Sequence, residues 1–223
     1  QNKTVLFVSH DAGAIAKIAS KGIGLKQGEL QFLGNTSEAL DNYHADSIID
    51  KNTKIFKRDA THKNVNLLSN DLVKMNQMTE ESIDAGQGKA SIISTFFSVD
   101  NAPKKNFSGG EYVHLNYLIK ANDIISGLLV GFSIKDKLGQ KIIEANNTPF
   151  EDKQSINLKE NELLNVNFSF IMPTLKSGEY SIDLAIAEGN KVNYVHQSWL
   201  YDAIQIQMTP YDEVTGLIKL EID

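Results

Sequence analysis

The chain of 223 residues contains no cysteine, only four prolines, and a single arginine, Arg58. The lack of cysteine excludes both a disulfide scaffold and a thiolate metal site, and it fits a reducing compartment. One arginine and a net charge of −6 argue against a nucleic-acid partner. Such proteins rely on basic faces and on arginine forks to hold phosphates and guanines. No apolar run approaches the ~20 residues that span a bilayer. No basic stretch followed by an apolar core opens the chain, so no signal peptide is expected, and a start at Gln1 reads as a fragment. The five histidines are isolated, with neither H-x-H nor H-x-x-x-H spacing, so no metal site is expected. What is present is an ordinary soluble composition, 41% hydrophobic and 22% charged, long enough to bury a core in one or two domains.

Three zones differ in texture. Residues 1–45 read as strand, helix, strand, strand, helix. Thr4-Val5-Leu6-Phe7-Val8 is a continuous β-prone run, as expected of a strand buried on both faces. Asp11 is placed to cap a helix carrying Ile15, Ile18 and Ala19 on one face. A hairpin follows around Lys26-Gln27-Gly28, and Thr36 is placed to cap a last helix with Leu40 and Tyr43 on one face. Residues 46–88 are polar. Lys51, Lys54, Lys57, Arg58 and Lys63 read as a solvated linker, with contact to anionic lipid as the alternative. Leu68, Leu72 and Met75 are spaced for a short amphipathic helix, and Gly86-Gln87-Gly88 reads as a boundary.

Residues 89–223 hold all four prolines and read as β throughout. Val113, Leu115, Tyr117 and Ile119 alternate with polar or smaller neighbours. So do Val130, Phe132 and Ile134, then Val166, Phe168 and Phe170, then Tyr180, Ile182, Leu184 and Ile186. Period two repeated over four segments separated by turn residues predicts strands with one buried face. Further strands are expected at 91–99, 140–147, 203–208 and 216–222. The fold class is mainly β, a jelly-roll or immunoglobulin-like antiparallel β-sandwich preceded by a small α/β remnant. The second face of several strands is small and polar, leaving it open to solvent or to a ligand.

Val8-Ser9-His10-Asp11 after an apolar strand resembles the switch region of ABC-transporter ATPase domains. Ile23 through Leu30 with Gly34 resembles their closing hairpin, and Thr36 through Tyr43 their final helix. The resemblance implies that His10 is the switch histidine and that ATP and Mg²⁺ serve the complete family. This chain has no G-x-x-x-x-G-K-[ST] loop, acidic metal-binding strand or signature loop. No cofactor and no ATP hydrolysis are therefore expected of it. A sandwich attached after such a tail resembles the ATP-binding subunit of Wzt-type polysaccharide exporters. Val130 to Asp136 with Gly139, Asn146-Asn147-Thr148, Met172 to Tyr180, and His196 to Ile206 carry that likeness in order. The resemblance implies O-antigen polysaccharide as ligand, a transmembrane subunit as partner, and a place on the cytoplasmic side of the bacterial inner membrane. It divides the chain into a nucleotide-domain remnant at 1–45, a linker at 46–88 and a carbohydrate-binding module at 89–223.

Sugar binding needs an aromatic face for stacking and planar polar groups for hydroxyls. Trp199, the only tryptophan, lies among Tyr194, His196, Gln197 and Tyr201. Its alternative role is a core plug. Phe96 or Phe97, whichever faces away from the core, is a second stacking candidate. His114 and Asn116 lie on the polar face of their strand. Asn146, with Asn147, either meets ligand or stabilises a turn. Glu144, Asp183 and Asp202 raise glycoside hydrolysis, which needs two carboxylates flanking a bond; a binder is the stronger expectation. The cleanly alternating Leu217 to Ile222 suits pairing with a second copy, so a homodimer through that strand is expected. The other reading is a dimerisation domain without glycan contact.

Overall fold

The computed structural model describes residues 4–9, 12–48, 54–56, 74–80, 82–147 and 155–220. His10 and Asp11, and with them the switch and cap expectations, lie outside the described residues, as does most of the helix read around Leu68, Leu72 and Met75.

Thr4 to Val8 does not form the buried strand that its composition predicts. Val5, Leu6 and Val8 are 79%, 83% and 94% exposed, and no described strand lies beside them to accept their backbone groups. Composition marks a segment as fit for a sheet; it does not supply the neighbouring strands. The helix, hairpin and helix that follow form in the order read. Helix α1 (Ala12–Ile18) precedes the antiparallel hairpin of β1 (Lys21–Lys26) and β2 (Glu29–Asn35). Gln27 and Gly28 turn the hairpin with φ of 52° and 84°, the sign a tight two-residue turn demands. In α2 (Thr36–Ile48) the cap is Asn35 rather than Thr36: Asn35 Oδ1 accepts the Glu38 N–H at 2.9 Å. Thr36 Oγ1 instead donates to the Ala19 carbonyl at 2.7 Å, tying α2 to the end of α1. Leu40 is buried, whereas Tyr43 is 58% exposed and does not share its burial. A Cβ on Gly22 would sit 2.2 Å from Ala39 Cβ, so only glycine lets the hairpin approach the helix this closely.

The sandwich begins before residue 89. Strands β3 (Lys54–Phe56) and β4 (Ile83–Gly86) pair with each other, and β4 pairs with the sandwich. Gln77 N donates to Thr95 O and Thr79 N to Ala203 O, so the segment the sequence reads as linker is stitched to both sheets. In chain order the remaining strands are β5 (Ala90–Val99), β6 (Ala102–Pro103), β7 (Asn106–Phe107), β8 (Tyr112–Ala121), β9 (Ile125–Ser126), β10 (Leu128–Asp136), β11 (Lys141–Asn146), β12 (Asn157–Leu158), β13 (Leu163–Ile171), β14 (Thr174–Leu175), β15 (Gly178–Gly189), β16 (Tyr194–Met208) and β17 (Ile218–Lys219). One sheet runs β11-β10-β15-β16-β4-β3, with β7 parallel to β16; the other runs β13-β8-β5-β6. The predicted strand at 203–208 is the end of the long β16.

The four alternations point one face of each strand into a shared core. Val113, Leu115, Tyr117 and Ile119 on β8 meet Val130, Phe132 and Ile134 on β10 and Ile182, Leu184 and Ile186 on β15. Phe132 and Phe168 pack edge-on at 5.1 Å between ring centres, and Phe132 and Phe170 stack at 5.3 Å. Each such side chain removed from water contributes ~1.5–3 kcal/mol, which makes this two-faced cluster the dominant stabilising element. Among the described residues no helix is long and apolar enough to cross a membrane.

Candidate functional site

On the outer face of the larger sheet, β11, β10, β15 and β16 form a groove of about 330 Å³. Its floor follows from strand register. Gly131 on β10 lies between Asn146 on β11 and Ala185 on β15, and Ala185 is paired in turn with Trp199 on β16. One step along, Ser133 lies between Glu144 and Asp183. Small residues in the middle strands and large ones at either side make a trough. A side chain at Gly131 would meet the Ala145 carbonyl at 2.9 Å, so the floor is low because it is glycine.

One wall is aromatic. Tyr194 meets His196 edge-on at 5.3 Å, His196 meets Trp199 at 4.8 Å, and Trp199 stacks on Tyr201 at 5.9 Å. Strict alternation would send His196 and Trp199 to opposite faces of β16. A register shift between Ile186 and Ala187 leaves Gln197 as an extra residue and turns His196 onto the Trp199 face. Tyr194, 51% exposed, stands at the rim. Trp199 packs with Ala85, Ile83 and Tyr201 outside the main core, so it is not the core plug that was its alternative. Its Nε1, like His196 Nδ1 and Ser133 Oγ, is buried without a hydrogen-bond partner among the described residues. Burial holds the His196 imidazole below its ordinary pKa, so the ring stays neutral at physiological pH.

The opposite wall is polar. Asn146, Glu144 and Lys141 line it, and Lys141 Nζ pairs with Glu144 at 2.7 Å while lying 5.9 Å from the Trp199 ring centre. Lys191 lines the groove as well. Farther along the same outer face, Lys135 Nζ lies 2.9 Å from Asp183 and 3.2 Å from Asp202. Burial pushes the Asp183 carboxyl above its usual range, against the opposing pull of Lys135 and the Asp202 N–H. Glu144 and Asp183 thus share a face, as hydrolysis would require, but each is already ion-paired with a lysine.

Of the residues singled out by sequence, Trp199, Tyr194, His196 and Asn146 converge here. Gln197 does not: it is buried, donating to Glu188 at 3.2 Å and accepting the Lys89 N–H at 3.3 Å. Asn147 lines the groove too, but its side chain is engaged with Val130 N and Leu128 O of β10. His114, Asn116 and Phe96 lie on the other sheet. Phe96 does face away from the core that holds Phe97, but at 4% exposure its ring is closed to a ligand. His114 bonds Ser169 at 2.8 Å, and Asn116 Oδ1 accepts from Asn167 at 2.7 Å. Lys141, Lys191, Ser133 and the small floor residues escaped sequence reasoning as groove residues. The one available signal was the small, polar second face of β10 and β15.

A family model described as the Wzt C-terminal domain matches residues 81–220. A solved structure described as "Crystal structure of the C-terminal domain of wzt" aligns at 20% identity with a TM-score of 0.60, covering 68% of this chain and 92% of that one. That likeness establishes the fold. A structure described as target SoR45 of the Northeast Structural Genomics Consortium aligns at 10% identity, covering 60% of this chain and 89% of that one. Its TM-score is 0.24. No curated protein matches the chain.

Proposed function

This chain belongs to the Wzt C-terminal domain family, and from that premise we propose that its sandwich recognises the finished O-antigen glycan and selects it for export by an ABC transporter. The observation that carries the reading is the groove itself. An aromatic wall of Tyr194, His196 and Trp199 faces a polar wall of Asn146, Glu144 and Lys141 across a floor of Gly131 and Ala185. A pyranose offers an apolar ring face and a rim of hydroxyls, and a trough with one wall of each kind complements both. The transporter context adds a transmembrane subunit, a station at the cytoplasmic face of the inner membrane, and ATP used by the complete subunit rather than by this chain.

The test is titration of the protein with the producing strain's own polysaccharide, read by the emission of Trp199, the only tryptophan in the chain. Saturable change is expected. A folded sample silent at millimolar repeat unit refutes glycan recognition and favours the dimerisation reading.

A second copy remains part of the proposal. Strand β17 pairs with β14 of the same chain through only two residues, Ile218 with Leu175 and Lys219 with Thr174. Leu217, Ile218 and Leu220 keep 45%, 40% and 78% of their surface exposed. An edge so slightly held and so apolar suits exchange between copies. Deleting residues 214–223 and finding an unchanged dimer by sedimentation counts against it.

A further inference from the structure

The charges lining the groove do not balance in the same way on both signs. The two acidic side chains that line it are each engaged by a lysine: Glu144 by Lys141 at 2.7 Å, and Asp183 by Lys135 at 2.9 Å, a lysine that Asp202 shares at 3.2 Å. Among the cations, Lys141 is held by Glu144. Lys191 makes no ion pair among the described residues, although it lines the same groove. The Lys191 ammonium is thus the lining charge without an ion pair among the described residues, in a chain whose overall charge is −6. A wholly neutral ligand has no use for it. An anionic substituent on the bound sugar would be attracted to Lys191, while the lining carboxylates Glu144 and Asp183 are each occupied by a lysine.

We propose that the groove selects a glycan segment bearing one anionic group, held at its rim by Lys191. The inference rests on the reading of the groove as a glycan site and adds the chemical class of the sugar. Lys191 lies in the turn between β15 and β16, and Tyr194 opens β16 three residues later. The cation and the rim aromatic therefore come from one hairpin, so a ring stacked on the aromatic wall brings its substituents toward the ammonium. The Lys141–Glu144 pair, with side chains 43% and 53% exposed, is weakly held and adjusts to such a ligand at little cost. A carboxylate and a phosphate ester share this chemistry, and the test separates them.

Three disaccharides serve as probes: one ending in glucuronate, its carboxyl-reduced neutral counterpart, and the neutral disaccharide carrying a 6-phosphate. Each is titrated against wild type, Lys191→Met and, as control, Lys137→Met, which alters an exposed lysine outside the groove. Binding is followed by both Trp199 emission and calorimetry. We expect one acidic probe to bind roughly three- to tenfold more tightly than the neutral one. That ratio falls within about twofold in Lys191→Met, survives in Lys137→Met, and shrinks as salt rises, as for an exposed charge contact. Whichever acidic probe binds more tightly names the anion. Equal affinity for acidic and neutral probes in wild type, or an unchanged ratio in Lys191→Met, overturns the charge inference. The groove reading then stands, because Trp199 still responds. Calorimetric binding without any Trp199 response overturns both, and no binding of either acidic probe overturns the proposal.

Discussion

Replacing Lys135 by methionine keeps the aliphatic stem and deletes the charge that pairs with the groove's Asp183. Lys135 and Asp183 have side chains only 8% and 5% exposed, and their 2.9 Å contact is the shorter of the two that Lys135 makes. Removing one partner of a buried pair typically costs ~3–5 kcal/mol, because the surviving charge remains buried without compensation. Asp183 would keep only the Asp202 N–H at 2.9 Å. With a urea m-value of ~2 kcal/mol/M, a loss of ~4 kcal/mol moves the unfolding midpoint down by ~2 M. Trp199 is the only tryptophan and its emission reports the transition. The pH dependence identifies the cause. Burial already raises the Asp183 pKa, and losing Lys135 raises it further. A carboxyl whose folded pKa exceeds its unfolded value binds its proton more tightly when folded. The defect is therefore greatest above the folded pKa and is relieved as pH falls toward the unfolded value. Lys135→Met should cost markedly less at pH 5 than at pH 8, and adding Asp183→Leu should recover most of the loss at pH 8. A cost below ~1 kcal/mol at pH 8, or one that is flat with pH and persists in the double variant, refutes the reasoning.

The remaining predictions concern single side chains. Trp199→Ala should weaken glycan binding at least about tenfold, the loss expected of a stacking aromatic, while melting stays cooperative because Trp199 lies outside the main core; calorimetry and a thermal melt separate the two. Ala185→Leu fills the trough floor and should abolish binding with the fold intact by circular dichroism. Asn147→Ala strips the Val130 N–H and Leu128 carbonyl of their side-chain partners and should cost ~1–3 kcal/mol in urea unfolding. Burial depresses the His196 pKa in the folded state, so the unfolded chain takes up its proton first. Stability should fall as pH drops below 6.5, and His196→Phe should flatten that slope.

Much of the scaffold was legible because strand periodicity is local. Four alternating segments became β8, β10, β13 and β15 with the predicted faces inward. The family likeness of those same segments agrees with the match to residues 81–220. Where neighbours decide, local reading failed. Thr4 to Val8 has strand composition but no described strand beside it, and Phe96 faces outward yet is covered. His196 and Trp199 were both proposed as ligand contacts, but three residues of a regular strand would part them.

The amino-acid order by itself determined that this chain builds a β-sandwich, since side chains two apart on an extended backbone share a face whatever lies around them. It also set which residues are small, which are aromatic and which are charged. Only the tertiary structure decided that they make a groove. A bulge at Gln197 turns His196 toward Trp199, and pairing in register sets Gly131 and Ala185 side by side as a floor. Pairing of β10 with β15 sets Lys135 against Asp183, and Lys191, on the hairpin between β15 and β16, lines the groove without an ion pair among the described residues. Those relations depend on which strands lie side by side and in what register, and side-chain periodicity within a strand does not encode either.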